Sequence, residues 1–429
     1  MVEVLWLCNV AIPKIAIDLG RKVYIGAGWL YRLADMFIGN NDFRLNICFP
    51  DLYTKTIIRG EISGVRYFAF PVKLLFGIVP KYEQNKRNID FVSIFKEIIS
   101  EVEPEILHIF GSEFPFTLSA VKAYGRNSRV VVHIQGLASI CSMHYTAALP
   151  HRVLKKHCLI NYLIGNIYSQ KNNLSKRGES EKELLGLVGH VAGRTDWDRA
   201  CTSLLSPYAE YHYCGEILRE SFYNKEKWNI DRCTKFSIFF SQGSAPIKGL
   251  HIMLEAMTSI LVEFPDAKLI ISGSKPTQQD NLYNKLKISS YGEYLIKLIK
   301  EKDLFNYVQF TGELNEIEMH EHFLKCNVFV SASIIENSPN SVCEAQLLGV
   351  PIVASLAGGM QSLLTHSIDG YIYQFDAPYM MAYYIKEIFR NREIAHSFSE
   401  NGMKRASRRH DRDRIFQNVL DMYTSIMEN

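Results

Sequence analysis

The chain has 429 residues, and at about 150 residues per domain that length implies two or three domains rather than one small module. Hydrophobic residues make up 47% and charged residues 22%, which excludes disordered, collagen-like and coiled-coil chains. Lys and Arg number 48 against 45 Asp and Glu, a formal charge of +3, too balanced for a protein that grips a phosphate backbone, so nucleic acid is not an expected partner.

Residues 1–10 are apolar but short, carry Glu3 and lack a basic start, so they read as a first buried strand rather than a secretory leader. Nine cysteines run from Cys8 to Cys343 without a C-x-x-C pair, which fits neither a disulfide framework nor a zinc site and suits a reducing cytoplasm. No apolar run approaches the ~20 residues of a spanning helix, and a soluble chain is expected. The turn Gly26-Ala27-Gly28 would let backbone approach a ligand closely.

From residue 91 a regular alternation sets in: helical periodicity over 91–102, a strand at 105–110, a helix over 117–124 and a strand at 129–134. In the second half, apolar runs at 236–240, 269–271, 308–310, 328–330 and 352–354 are each followed by a turn and a helical stretch. The helix over 252–264 places Met253, Leu254, Met257, Ile260, Leu261 and Phe264 on one face. Strands alternating with helices predict parallel sheets covered on both faces, hence two doubly wound α/β domains. The boundaries read as a first domain over 1–212, a linker over 213–234, a second domain over 235–395 and terminal helices over 396–429.

Ligands of open α/β sheets bind outside the carboxyl ends of the strands, and the unusual residues lie in those turns. After 328–330, Ser338 reads as a helix N-cap with Pro339 at the first helical position, and Gly349 ends a helix of about ten residues. The helix start at Ser338, Pro339, Asn340 and Ser341 offers free N–H groups and would form a phosphate site flanked by two carboxylates, Glu336 before the helix and Glu344 within it. A diphosphate with a sugar at each end has that shape; a capped helix with a solvated Glu is the plainer alternative. After 236–240 comes Gln242-Gly243-Ser244-Ala245-Pro246-Ile247-Lys248-Gly249, which is not a Walker A loop because Gly follows Lys. Lys248 would supply a point charge to the same phosphates, unless it is a surface lysine.

These residues resemble the retaining glycosyltransferases of family 4, also called group 1, which have the GT-B fold. The E-x7-E signature stands at Glu336 and Glu344, accompanied by Ser272-Gly273, Phe310-Thr311-Gly312, Leu348-Gly349-Val350-Pro351, Gly358-Gly359 and Asp369-Gly370. The first half resembles the family more loosely, through Gly26-Ala27-Gly28-Trp29-Leu30, His108-Ile109-Phe110-Gly111 and Ile134-Gln135-Gly136; Gly193-Arg194-Thr195 looks like the bacterial surface-polysaccharide type. The resemblance implies two Rossmann-like domains facing across a cleft, the first for the acceptor and the second for a nucleotide-diphosphate sugar, with the terminal helices crossing back to the first. It implies a phosphate-binding role for Lys248, a place near the donor sugar for Glu336 and the ribose for Glu344. Retention would use no protein nucleophile, no cofactor and no metal. The expected acceptor is a hydroxyl of a glycan or lipid-linked saccharide. Three positions depart from the pattern. Gly243, with Gln242 beside it, stands where the family usually has Arg, with Arg194 a candidate substitute; Gln135 stands where many members have His, with His133 two residues earlier; and Gly358-Gly359-Met360-Gln361-Ser362 replaces Gly-Gly-Val-Pro-Glu, with Ser362 in place of the acid. A GT-B epimerase or a non-catalytic sugar-nucleotide-binding subunit is the competing reading.

Two further signals have two readings each. Asp196-Trp197-Asp198 matches a metal-binding D-x-D, but Thr195 to Asp198 also fits a capping box. Residues 151–182 mix basic side chains with an apolar run at 158–167, which reads as a solvated face around a core helix or as a peripheral contact with an anionic membrane.

Overall fold

The computed structural model describes residues 1–23, 28–72, 90–156, 166–223, 226–275 and 288–428. It divides into two compact units, residues 1–140, 174–217 and 410–429 forming the first and residues 141–173 and 218–409 the second.

The sheet of the first unit contains β1 (Val2–Leu7), β2 (Phe43–Asp51), β3 (Ile58–Ile62), β4 (Val65–Pro71), β5 (Ile106–Phe110), β6 (Val130–His133), β7 (His190–Gly193) and β8 (Glu210–Tyr213), in the order β3-β4-β2-β1-β5-β6-β7-β8. All pairs are parallel except β3 with β4, a hairpin closed by Ser63 and Gly64, both at positive φ, as a two-residue turn matched to strand twist requires. The central strands are apolar on both faces because helices cover both. One of these helices, Phe91–Val102, starts where Asp90 accepts the Ser93 N–H at 3.1 Å and buries Phe95, Ile98 and Val102, spaced for one face. Full burial of each such side chain contributes about 1.5–3 kcal/mol. The last helix, Arg412–Glu428, belongs to this unit: Tyr423 OH accepts from Trp6 Nε1 at 2.7 Å and lies 2.7 Å from His108 Nδ1.

The second unit is an all-parallel sheet of β9 (Ser237–Ser241), β10 (Lys268–Ser272), β11 (Val308–Gly312), β12 (Val328–Ser331), β13 (Ile352–Ser355) and β14 (Tyr371–Tyr373), in the order β11-β10-β9-β12-β13-β14. Strand order reverses between β9 and β12, so their outgoing loops diverge around a crevice at the carboxyl edge.

The units divide the chain differently from the sequence boundaries, for reasons of packing. Residues 141–173 fall in the second unit because Leu149, Val153, Leu154 and Ile167 are buried with its core and Ala147 O meets His251 Nε2 at 3.0 Å. The stretch read as a linker is packed: Phe222 is buried, and Trp228 donates its indole N–H to Cys326 O at 2.8 Å. The helix Arg392–Arg409 stays in the second unit through buried Ala395, Phe398 and Ala406, so only residues 410–429 join the first.

Candidate active site

Lys248 and Glu336 meet at the switch between β9 and β12. Lys248 closes the short helical turn Pro246–Lys248 after β9; Glu336 lies five residues beyond the end of β12. The Lys248 ammonium donates to Glu336 Oε1, which also accepts the Ser333 hydroxyl at 3.0 Å. The two loops are locked together by Ile334 N–H donating to Ile247 O at 2.8 Å. Their closeness depends on glycine at two points. Gly249 has φ +75°, and a Cβ there would lie 1.9 Å from Ala332 O; Gly358 has φ +53°, and a Cβ there would lie 1.9 Å from Glu336 O. The next residue, Gly359, donates its N–H to that same Glu336 oxygen at 2.9 Å, so the backbone carrying Glu336 is held from two sides.

The helix after Glu336 is Asn340–Leu348, one residue shorter at its start than the sequence suggests. Pro339 is its N-cap, no side chain caps it, and Ser338 points its hydroxyl toward Cys343 Sγ at 3.8 Å. Ser338 is therefore not the N-cap. A first turn with no side-chain cap leaves backbone N–H groups for a ligand, and the helix dipole makes that end positive. Gly349 ends the helix in the left-handed region, as the sequence predicts.

Glu344 sits inside this helix and is buried, with a carboxyl pushed up by burial against the opposing pull of Arg219. Arg219 Nε and Nη2 each reach a different Glu344 oxygen at 2.7 Å. Two parallel bonds of this kind fix a carboxylate in position and plane. Sequence reasoning missed Arg219 because it lies in the stretch without alternation read as linker. Ser333 was missed too, although it stands three residues before Glu336.

The remaining candidates of the second unit lie at the same edge. Gln242 follows β9 at φ +60° and donates its N–H to Ser272 O at 3.0 Å, while Gly273 N–H donates to Gly312 O at 2.9 Å. Gly243 is packed: a Cβ there would stand 2.6 Å from Leu250 Cδ2 and 2.9 Å from Ile271 Cγ2. The missing Arg therefore has no room to enter on this backbone.

In the first unit, Gln135 follows β6, and its Nε2 is buried with no hydrogen-bond partner among the described residues. His133 is packed within the sheet, stacked on His108 with ring centroids 5.6 Å apart; burial, with Arg194 nearby, pushes its imidazole down to about 3. Arg194 donates to Ile134 O at 3.2 Å and lies 2.6 Å from the buried carboxylate of Glu216, so its charge is balanced within its own unit. Gly26 lies outside the described residues, as does most of the apolar run 158–167, and Gly28 opens the helix Gly28–Phe37. Asp198 forms the capping box with Thr195 and also accepts Arg194 N–H at 2.9 Å, the arrangement the capping reading of D-x-D requires. Among the described residues no helix is long and apolar enough to cross a membrane.

Residues 223–405 match the family described as glycosyl transferases group 1. YtcC of Bacillus subtilis (strain 168), itself named only provisionally as a glycosyltransferase, aligns at 24% identity over 364 residues, 81% of this chain and 82% of that one. Among solved structures, sucrose-phosphate synthase from Thermosynechococcus elongatus superimposes with a TM-score of 0.72 at 15% identity, covering 100% of both chains. Anabaena HepE in complex with UDP-glucose superimposes with a TM-score of 0.65 at 16% identity, covering 99% of this chain and 100% of that one. Residues 223–405 thus resemble the group 1 glycosyl transferases, and the chain as a whole has the GT-B fold.

Proposed function

We propose that the chain is a retaining glycosyltransferase of family 4 that moves a sugar from a nucleotide-diphosphate sugar to a hydroxyl of a glycan or lipid-linked saccharide, in bacterial surface-polysaccharide synthesis. The observation that carries this reading is the Lys248–Glu336 pair, with Glu336 in the loop that leads into the uncapped start of the helix Asn340–Leu348. Phosphate oxygens arriving there would take over the lysine's attention, and the helix N–H groups would share the charge that grows on the leaving diphosphate. Glu336, released from Lys248 and still held by Ser333, would then turn to the sugar hydroxyls. Glu344, oriented by Arg219, serves the ribose. No side chain acts as nucleophile; the leaving phosphate accepts the proton of the acceptor hydroxyl, so no metal is needed for transfer. The acceptor belongs to the first unit, at the carboxyl ends of β5 to β7, where Gln135 Nε2 has no hydrogen-bond partner among the described residues. The HepE complex makes UDP-sugars the first donors to try. The work is done in the cytoplasm, at the inner face of a membrane if the acceptor is lipid-linked.

The test is a panel of UDP, GDP and ADP with their sugars, read by thermal shift and then by nucleotide release from purified protein, with EDTA present throughout. One base should raise the melting temperature, its sugar should be turned over, and NMR should show the α-linked donor giving an α-linked product. Binding without release under any acceptor would instead establish the non-catalytic reading, and a β-linked product would overturn retention.

A further inference from the structure

A second constellation lies on the edge strand of the first unit, apart from the residues discussed so far. β8 is the last strand of its sheet and pairs with β7, His190 opposite Glu210 and Ala192 opposite His212. Side chains alternate along a strand, so Glu210 and His212 share a face, and the register sets His190 on that face as well. Three donor atoms converge there. His190 Nδ1 is 2.9 Å from His212 Nε2 and 3.7 Å from Glu210 Oε2, and His212 Nε2 is 4.0 Å from Glu210 Oε2. A tetrahedral ion with bonds of about 2.0–2.1 Å holds its ligand atoms about 3.3–3.4 Å apart, a separation these three distances straddle.

The surroundings also suit a metal. His190 Nε2 lies 3.0 Å from Ser128 O; a carbonyl only accepts, so Nε2 carries the proton and Nδ1 turns its lone pair toward the other two donors. Metal-bound imidazoles are oriented in this way by a carbonyl behind them. Without an ion, His212 Nε2–H donates to His190 Nδ1; on binding, the His212 proton moves to its Nδ1 and both rings stay neutral. His190 is buried while Glu210 is about half exposed, which leaves an entry path on the Glu210 side.

We propose that His190, His212 and Glu210 bind one zinc ion, with water in the fourth position, and that the ion clamps β8 to β7. Two imidazoles and a carboxylate are a donor set suited to zinc. His190 and Glu210 are the first residues of their strands, so the ion sits at the amino end of the sheet, opposite the edge where substrates bind, and it is structural. The inference stands independently of the transferase reading.

The experiment uses tag-free, EDTA-stripped full-length protein titrated with zinc by calorimetry, with melting curves in parallel. One equivalent should bind and raise the melting temperature. His212→Gln should lower zinc affinity at least about tenfold and abolish the rise, while its metal-free melting temperature stays at the wild-type value. Should His212→Gln fail to fold, Glu210→Gln, altered at an exposed side chain, carries the same comparison. Cobalt in place of zinc should give visible d–d bands without the thiolate charge-transfer band that the free cysteines would produce. Absence of saturable binding, undiminished affinity in both variants, or a cobalt spectrum dominated by thiolate each overturns the proposal.

Discussion

Arg219 holds both oxygens of Glu344 from 2.7 Å, a fork against a fork, with the carboxylate inside the second unit. Removing the guanidinium strands a buried charge. Arg219→Ala is expected to destabilise that unit by about 3–5 kcal/mol in urea unfolding, while Arg219→Lys, which cannot reach two oxygens at once, recovers only part of it. If Glu344 serves a ribose, Arg219→Lys should also raise the KM for donor more than it lowers kcat.

Lys248→Ala and Glu336→Gln should each lower kcat by at least about a hundredfold while shifting the melting temperature by no more than a few degrees. The expectation follows from exposure: both side chains open onto solvent, with 26% and 16% of their surface accessible, so neither is needed for packing. Steady-state rates and melting curves on the same preparations check it. Near-normal turnover in either variant would remove the pair from the chemistry.

Gly358→Ala tests the backbone behind Glu336. The new methyl would start 1.9 Å from Glu336 O, so the loop must shift, and a displacement of about 1 Å at a catalytic group costs on the order of a hundredfold in rate. The variant should therefore lose most of its activity at a temperature where circular dichroism still shows it folded. Wild-type kcat in Gly358→Ala would mean that the loop position does not matter.

Two groups of the first unit, the buried His133 and the half-buried Glu113, set opposite pH limits on stability. His133, held near 3 by burial against an ordinary 6.5, stays neutral in the fold but takes up a proton when unfolded; stability is lost as pH falls from 6.5 toward 3, at up to about 1.4 kcal/mol per pH unit. Glu113 is raised by burial to about 7 from 4.5, so its share is present below 4.5 and lost as pH rises toward 7. The two slopes oppose each other between 4.5 and 6.5, leaving a net fall below that window from His133 and above it from Glu113. Urea unfolding across pH 3–8 should show Glu113→Gln flattening the upper limb and His133→Gln the lower.

The second unit was readable from sequence because each buried parallel strand is a short apolar run, and because phosphate chemistry left compact signals: Lys248 before Gly249, and Glu336 eight residues before Glu344. Residues 43–71 gave no clear signal, although Ser63-Gly64 between alternating residues is a hairpin mark; β3 is half exposed and antiparallel, and its pattern is diluted accordingly. Arg219 could not be paired with Glu344 from sequence, since 125 residues separate them and a partner across a fold leaves no periodic trace. The same holds for His190 and His212, which become neighbours only through strand register. The helix start at Asn340 rather than Pro339 is a one-residue difference, and it matters because it removes Ser338 from the cap and leaves the first turn open.

Tyr423 receives the indole N–H of Trp6 from 417 residues away in sequence, and Ile415, Val419, Met422 and Ile426 of the same helix are buried as well. A ribosome delivers these two residues at widely separated moments of translation. The nascent first unit therefore waits for the residues from 410 onward before its core can close, whereas everything the second unit needs has emerged once residue 409 is out. Fragments cut at residue 212 should come out insoluble, and a stop codon that removes the residues from 410 onward should send the shortened protein to quality-control proteases.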